Sequence, residues 1–182
     1  MTGRGTLILV VGPSGAGKDS IIAGAAMELR NDRRVIFARR LITRSADSGG
    51  EDHIAVSPAD FAQARNAGKL MLAWSAHGLD YGLPGELAAA LNEGRSVVAN
   101  VSRTVTVEAR QRFAPVLVVA VTASPETLAA RLAGRGREAA ADIESRLSRA
   151  GAAVVADVVI ENDGTLDAAV ACFVAVLKKA ID

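Results

Sequence analysis

A glycine-rich stretch near the start of the chain has the residue types and the spacing of a phosphate-binding loop. Residues 12–20 read GPSGAGKDS, which matches the G-x-x-x-x-G-K part of the P-loop pattern. Its glycines let backbone N–H groups curl towards a phosphate, and its lysine reaches the outer phosphates of a nucleotide. A plain turn between strand and helix would not need that lysine, so we predict that Lys18 is catalytic and that ATP binds here. The predicted ATP-binding residues are Gly12, Pro13, Ser14, Gly15, Ala16, Gly17, Lys18, Asp19 and Ser20.

The residue after the lysine departs from the P-loop pattern, because Asp19 stands where the motif has serine or threonine. That hydroxyl usually ligates Mg²⁺. A carboxylate is also a hard oxygen ligand, so we expect Asp19 to hold magnesium directly or through water. The positive end of a helix dipole would favour an acid at this position in any case. Ser20 offers a hydroxyl, but it points about 100° further round the helix.

Five arginines form a second group of candidate residues late in the chain. They occur in ETLAARLAGRGRE and ADIESRLSRA, at Arg131, Arg135, Arg137, Arg146 and Arg149. Phosphoryl transfer needs charge on the transferred group to be offset, and guanidinium groups do this without losing their proton. Two glycines between these arginines suggest a hinge. We predict catalytic roles for Arg131, Arg135, Arg137 and Arg146, with a lid at about residues 131–140; the alternative is a solvated basic helix face.

Composition limits the class of protein. Half of the 182 residues are apolar, which suits one domain with a single core. With 21 basic against 20 acidic residues there is no broad positive field for nucleic acid or membrane, so we expect small-molecule ligands. No apolar stretch approaches the roughly 18 residues of a membrane span, and we expect a cytoplasmic protein. The single cysteine, Cys172, lies in the run AAVACFVAVL, which we interpret as a buried helix face.

Apolar, β-branched runs alternate with helical patterns along the chain. This order predicts an α/β fold with a mainly parallel sheet and helices on both faces. The predicted strands cover residues 6–12, 34–40, 69–75, 96–101, 115–123 and 157–162, with a small additional strand at 53–56. A helix is predicted to begin near Lys18, and Ser57, Ser124 and Thr165 are predicted to cap later helices. The polar segment 43–52 is a candidate functional loop.

These segments resemble the guanylate kinase superfamily of P-loop kinases over nearly the whole chain. The resemblance rests on GPSGAGK, on ITR at 42–44, on DYG at 80–82 and on RLAGRGRE at 131–138. It implies a P-loop kinase fold in which residues from about 40 to 95 bind the acceptor and the arginine-rich segment forms the lid.

The chain departs from guanylate kinases where those enzymes bind their acceptor. Arg44 is present, but the second arginine of the phosphate clamp is Asp47, and a tyrosine that assists the same phosphate is His53. The glutamate that holds the guanine edge is replaced by Ala73. A site without that carboxylate loses its discrimination for the base, so we do not expect GMP as the acceptor.

A closer resemblance is to the ribose 1,5-bisphosphate phosphokinases of bacterial phosphonate degradation. The shared segments are GPSGAGKDS with the acid included, TR with GEDH, HGL-x-YG, NVSR and RGRE. This resemblance implies magnesium-dependent transfer of the γ-phosphoryl group of ATP onto ribose 1,5-bisphosphate, which gives 5-phosphoribosyl 1-diphosphate.

The residues at the predicted acceptor site each have a structural alternative. The predicted substrate-binding residues are Arg44, His53, His77, Tyr81, Asn100, Ser102 and Arg103. For both histidines, the commoner role is a structural one in which the ring makes hydrogen bonds within the protein. Ser102 is at least as well interpreted as a helix cap. Asn162 is predicted to lie near the adenine, with a plain Asx turn as the alternative.

Two other functions remain open at this point. One is a guanylate or other nucleoside monophosphate kinase, against which Ala73 and Asp47 argue. The other is a binding module with a guanylate kinase-like fold and no catalysis, against which Lys18 and the arginine cluster argue. A P-loop GTPase is disfavoured because the sequence has no N-K-x-D segment.

Overall fold

Two β-sheets of different architecture are present in the computed structural model, which describes residues 3–45, 51–134 and 155–182. The nine strands in these ranges are β1 Leu7–Val11, β2 Val35–Phe37, β3 Leu41–Ile42, β4 Ile54–Ala55, β5 Leu70–Ala76, β6 Leu79–Pro84, β7 Ser96–Asn100, β8 Val116–Thr122 and β9 Val158–Glu161. The helices are α1 Lys18–Glu28, α2 Pro58–Asn66, α3 Glu86–Asn92, α4 Thr106–Arg112, α5 Pro125–Gly134 and α6 Leu166–Ile181, with a 3₁₀ turn at Arg103–Val105.

The larger sheet is parallel and has the strand order β2-β7-β1-β8-β9. Its central strand β1 is buried along its whole length, because helices cover both faces. Alternate residues of β1 therefore point into two different cores. Ile8 packs with α1 and α6, whereas Leu9 packs with the apolar side chains of the smaller sheet. The predicted fold class is confirmed.

The smaller sheet has the order β4-β3-β6-β5 and contains a strand that we had assigned to the parallel sheet. Strand β5 pairs antiparallel with β6, and Trp74 lies opposite Tyr81. The prediction that residues 69–75 extend the parallel sheet is therefore wrong. Strand β6 was not predicted at all, because its six residues contain a glycine and end in a proline, which are turn signals in a single sequence.

Strand β2 is also shorter than predicted, since it ends at Phe37 and not at residue 40. The next residues turn away towards the smaller sheet, where Arg39 pairs with Asp52 and Arg40 pairs with Glu51. Arg39 and Arg40, which follow the apolar residues of β2, therefore indicate the end of that strand.

The three predicted helix caps are confirmed. Ser57 accepts a hydrogen bond from the backbone N–H of Asp60 at 3.0 Å, and Thr165 accepts one from Ala168 at 3.3 Å. Ser124 accepts one from Thr127 at 3.2 Å. These caps fix the points at which α2, α5 and α6 begin, because each satisfies a backbone donor that the helix itself leaves open.

Helix α6 packs one face against the parallel sheet and leaves the other exposed. Its buried residues are Ala169, Val170, Phe173, Val174 and Leu177. Cys172 is exposed, so the prediction of a buried cysteine is wrong. Because the helix is apolar on nearly all sides, the sequence does not show which face is buried. Cys172 precedes the buried Phe173 by one residue, and one residue turns a side chain by about 100° around the helix. None of the described helices is long and apolar enough to cross a membrane.

Replacement of Phe173 by alanine is expected to lower the free energy of unfolding by about 3–5 kcal/mol, because it removes a large side chain from a closed core. Phe173 is 0% exposed. Urea unfolding monitored by circular dichroism measures the change. The neighbouring Cys172→Ala variant, on the exposed face, is expected to change that free energy by less than about 0.5 kcal/mol. Equal effects of the two variants would contradict the assigned helix face.

Candidate functional site

The glycine-rich loop lies between the carboxyl end of β1 and the first turn of α1. The Lys18 ammonium donates to the backbone oxygens of Gly12 at 2.8 Å and Pro13 at 2.9 Å. The loop is closed further by the N–H of Ala16, which donates to the oxygen of Pro13 at 3.3 Å. The lysine charge is thereby held at the helix N-terminus, where backbone N–H groups are suited to binding an anion.

Two glycines of the loop cannot be replaced without strain. Gly12 has a φ of 147°, and a Cβ there would lie 2.1 Å from the backbone oxygen of Val121. Gly17 has a φ of 91°, and a Cβ there would lie 2.4 Å from the side-chain nitrogen of Asn162. Both positions need positive φ and close approach, which only glycine combines at low cost.

Asn162, which follows β9, supports the loop from the side. Its Nδ2 donates to the backbone oxygen of Ala16 at 2.8 Å, and the residue is only 3% exposed. Its backbone oxygen accepts from Arg131 Nη2 at 2.9 Å. Asn162 thus connects the phosphate-binding loop with the arginine of α5. The contact with adenine remains a prediction.

Arg131 is the one member of the predicted arginine set that lies within the described residues. Its Nη1 is buried and has no hydrogen-bond partner there, and it lies 3.9 Å from the point that a Gly17 Cβ would occupy. A buried guanidinium donor without a partner is costly unless an anion binds it. This position beside the loop suits a phosphate group. Arg135, Arg137 and Arg146 lie outside the described residues.

A Gly17→Ala variant is expected to weaken ATP binding about 5- to 150-fold, since strained positive-φ positions cost about 1–3 kcal/mol. The loop must shift to separate the new methyl group from Asn162. Calorimetric titration with ATP measures the loss. Gly164→Ala serves as the control, because a Cβ at that position meets nothing within 4 Å and φ lies outside the left-handed region. Unchanged ATP affinity in Gly17→Ala would contradict the assigned loop geometry.

Asp19 and Asn100 meet beside this loop. Asn100 ends β7, next to β1, and its Nδ2 donates to Asp19 Oδ1 at 2.6 Å. Asn100 is 9% exposed, whereas Asp19 is exposed to solvent. Within the described residues there is no cluster of three or more acidic, histidine or cysteine side chains that could hold a metal. Magnesium at a nucleotide site needs only one or two protein oxygens besides phosphates and water, so Asp19 fits that ion.

Arg44 follows β3 on the side of the smaller sheet. Its Nε and Nη2 are buried and have no partner among the described residues. The side chain also lines an open cavity of about 600 Å³ between the end of β3 and the start of α2. Where Arg131 offers the single nitrogen Nη1, Arg44 offers two unpaired nitrogens as a fork, which matches the oxygens of a phosphate.

Tyr81 lies close to Arg44 in the interior of the smaller sheet. Burial raises the pKa of its hydroxyl, and the nearby charges of Arg40 and Arg44 partly oppose that rise. The hydroxyl therefore stays protonated at neutral pH and can donate to an anion. The effect of Arg44 on this pKa indicates that the two side chains are near each other. Binding of substrate by Tyr81 or Arg44 remains a prediction.

Arg40 and Glu51 belong to the same group of side chains and were missed in the sequence. Arg40 Nε donates to Glu51 Oε2 at 2.9 Å, and Nη2 donates to the second carboxylate oxygen. The guanidinium lies 5.1 Å from the ring centre of Tyr81, which stacks on Trp74 with ring centres 5.6 Å apart. Glu51 lies 11 residues after Arg40 in the chain. Local sequence patterns do not connect residues at that separation, so the pair could not be found in the sequence.

The two histidines differ in their surroundings. His53 is buried, and its Nδ1 and Nε2 lie 3.0 Å and 3.3 Å from the backbone oxygens of Glu51 and Arg44. These contacts connect the ring to the backbone at Arg44 and at Glu51. His77 is exposed in the turn between β5 and β6, with a φ of 53°. A substrate contact by either histidine remains a prediction.

Ser102 and Arg103 follow β7. The Ser102 hydroxyl accepts a hydrogen bond from the backbone N–H of Thr104 at 3.3 Å and so caps the 3₁₀ turn that Arg103 begins. The cap that we gave as the alternative for Ser102 is therefore present. Binding of substrate by these two residues remains a prediction.

A family model and a solved structure define the class of fold to which this chain belongs. A family model described as an AAA domain matches residues 8–151. The crystal structure of guanylate kinase from Anaplasma phagocytophilum superposes with a TM-score of 0.71 over 98% of this chain and 87% of that chain, at 18% sequence identity. Identity at this level shows the fold alone. The chain is an α/β P-loop protein with a guanylate kinase-like fold.

Curated relatives then define the family. Ribose 1,5-bisphosphate phosphokinase PhnN of Acidiphilium cryptum is 50% identical over 182 residues, which cover 100% of this chain and 97% of the relative. The protein of that name from Methylobacterium radiotolerans is 47% identical over 96% of this chain and 98% of its own length. A bifunctional ribose 1,5-bisphosphokinase-thymidine phosphorylase of Cupriavidus necator is 47% identical over 98% of this chain, which matches 30% of that longer protein. This chain belongs to the ribose 1,5-bisphosphate phosphokinase family.

Proposed function

We propose that the protein transfers the γ-phosphoryl group of ATP to the 1-phosphate of ribose 1,5-bisphosphate, with formation of 5-phosphoribosyl 1-diphosphate and ADP. The observation that carries this proposal is a pair of arginines with buried guanidinium nitrogens that have no hydrogen-bond partner among the described residues. These nitrogens are Nη1 of Arg131, beside the P-loop, and Nε and Nη2 of Arg44, at the end of β3. We extend the proposal to a role in phosphonate degradation, in line with the resemblance noted in the sequence.

The ATP side of the proposed site consists of the loop, Lys18 and Arg131. Lys18 already lies at the N-terminus of α1, and Arg131 is tied to the loop through Asn162. Two positive charges beside the loop suit the outer phosphates of ATP. Magnesium held near Asp19 would neutralise charge on the β- and γ-phosphates.

The acceptor side offers donors for a phosphate, and among the described residues β5 carries no carboxylate at position 73 that could read a base. Ala73 lies on β5 opposite Gly82, so neither residue has a side chain that can accept a hydrogen bond from a base edge. Arg44 and the Tyr81 hydroxyl supply donors, and the salt bridge of Arg40 with Glu51 supports the Tyr81 ring. This combination favours a sugar phosphate over a nucleotide as the acceptor.

The proposed transfer needs positioning and charge neutralisation more than a strong base. An oxygen of the acceptor phosphate forms a bond to the γ-phosphorus while the bond from that phosphorus to the bridging oxygen breaks, and ADP leaves with the electron pair. Phosphate oxygens are largely ionised at neutral pH, because the second pKa of a phosphate monoester is about 6. The cationic side chains reduce the repulsion between the two approaching anions.

An ADP-release assay with Mg²⁺ and ATP tests the proposal by comparing ribose 1,5-bisphosphate, GMP and no acceptor. We expect release that depends on ribose 1,5-bisphosphate. Turnover with GMP alone would identify a guanylate kinase and overturn the proposal. ATP binding without release for either acceptor would favour a binding module that has the fold but no catalysis.

A further inference from the structure

The contact between Asp19 and Asn100 joins the two positions that usually share a metal ion in P-loop proteins. In such proteins the hydroxyl after the P-loop lysine and an aspartate from a nearby strand hold Mg²⁺ together. Here the residue after the lysine is the carboxylate, and the residue at the end of the neighbouring strand β7 is the amide. Their hydrogen bond of 2.6 Å connects the same two elements.

We propose that the carboxylate and its neutral partner have exchanged places, and that Asn100 is a positioning residue for Asp19. An ionised carboxylate can only accept, so the amide must present its nitrogen to Asp19. The bond engages Oδ1 of Asp19 and thereby fixes the orientation of the carboxylate. Oδ2 is then the oxygen that would serve the metal. Each arrangement keeps one carboxylate and one neutral hydrogen-bonding group between the P-loop and the strand.

The burial of the two residues supports these separate roles. Asn100 is 9% exposed and is fixed within a strand that is buried along its whole length. Asp19 is exposed at the start of α1, where the helix itself allows its side chain several rotamers. A rigid partner therefore limits the orientation of a mobile ligand, as outer groups do at metal sites generally. This role also accounts for a buried amide at a strand end that we had assigned to substrate binding.

The proposal rests on the ATP site of the proposed function and is independent of the acceptor. Its test uses Mn²⁺ as the probe and a non-hydrolysable ATP analogue, with free Mn²⁺ measured by electron paramagnetic resonance. The full chain is compared with the variants Asp19→Ser, Asn100→Leu and Asp19→Ser/Asn100→Asp. Affinity for the analogue without metal reports on whether the loop of each variant is folded.

Asp19→Ser and Asn100→Leu are each expected to lower the affinity for Mn²⁺ in the ternary complex by about 10- to 100-fold, with analogue binding in the absence of metal changed less than about twofold. The double variant restores the usual arrangement and is expected to recover Mn²⁺ affinity to within about threefold of the natural protein. Glu28→Gln, which removes an exposed carboxylate from the other end of α1, is the matched control and is expected to bind Mn²⁺ normally.

Three results would overturn the proposal. Unchanged Mn²⁺ affinity in Asn100→Leu would show that the amide does not position Asp19, and unchanged affinity in Asp19→Ser would show that the carboxylate does not serve the metal. A double variant no better than Asp19→Ser would show that the two positions are not interchangeable. Failure of ribose 1,5-bisphosphate as an acceptor would leave all of these Mn²⁺ measurements interpretable, so the two proposals fail separately.

Discussion

Replacement of Lys18 by methionine is expected to lower kcat by about 10²–10³-fold, which is the usual effect of removing one group that stabilises developing charge. Methionine keeps much of the side-chain length and removes the ammonium that the loop holds at 2.8 Å from Gly12 and 2.9 Å from Pro13. The effect should fall mainly on kcat, because a charge at the outer phosphates gains most in the transition state. Steady-state kinetics at saturating ATP measure it.

Lys69→Met is the matched control for this experiment. Lys69 is exposed between α2 and β5 and takes part in no predicted binding or catalysis. We expect its kcat to equal that of the natural protein, and we expect both variants to unfold at similar urea concentrations. A Lys18→Met protein with normal kcat would contradict the catalytic role of the loop lysine.

Replacement of Arg44 by leucine is expected to lower kcat/KM for ribose 1,5-bisphosphate by at least about 30-fold, because loss of one partner of a buried charge pair costs about 2–5 kcal/mol. The affinity for ATP alone should not change, since Arg44 lies on the smaller sheet. The kcat/KM of Arg44→Lys should lie between that of the natural protein and that of Arg44→Leu, because lysine keeps the charge and loses the planar fork. Acceptor titrations at fixed ATP give these constants.

The same substitution carries an opposite prediction for stability. In the absence of ligand, Nε and Nη2 of Arg44 are buried without partners in the described structure, which is a cost to the folded state. Arg44→Leu should therefore unfold no more easily than the natural protein in urea. Arg65→Leu, at an exposed position on α2, is the control and should leave both kcat/KM and stability unchanged. Lower stability of Arg44→Leu with normal acceptor kinetics would show that Arg44 is structural.

Features that depend on local sequence could be predicted well. The P-loop is such a feature, because glycines at two fixed positions and a following lysine specify both the backbone and the charge. The caps at Ser57, Ser124 and Thr165 are also local, since each hydroxyl binds a backbone N–H three residues further along. The parallel sheet could be predicted because each strand and each helix has its own local sequence pattern, and strands that alternate with helices form parallel sheets.

Features that depend on distant residues could not be predicted from one sequence. The salt bridge of Arg40 with Glu51 forms only when β3 and β4 pair, and the stack of Trp74 on Tyr81 forms only in the antiparallel hairpin. The bond from Asn100 to Asp19 spans 81 positions of the chain. Apolar composition alone also gave no means of assigning Cys172 to the exposed face of α6.

We propose that the acceptor is a sugar bisphosphate and not a nucleotide. The most direct measurement is phosphorus NMR of a reaction that contains the protein, Mg²⁺, ATP and equal concentrations of ribose 1,5-bisphosphate and GMP. We predict new diphosphate signals of 5-phosphoribosyl 1-diphosphate that grow with ADP, while GMP is not consumed. Conversion of GMP to GDP with ribose 1,5-bisphosphate left intact would contradict the account.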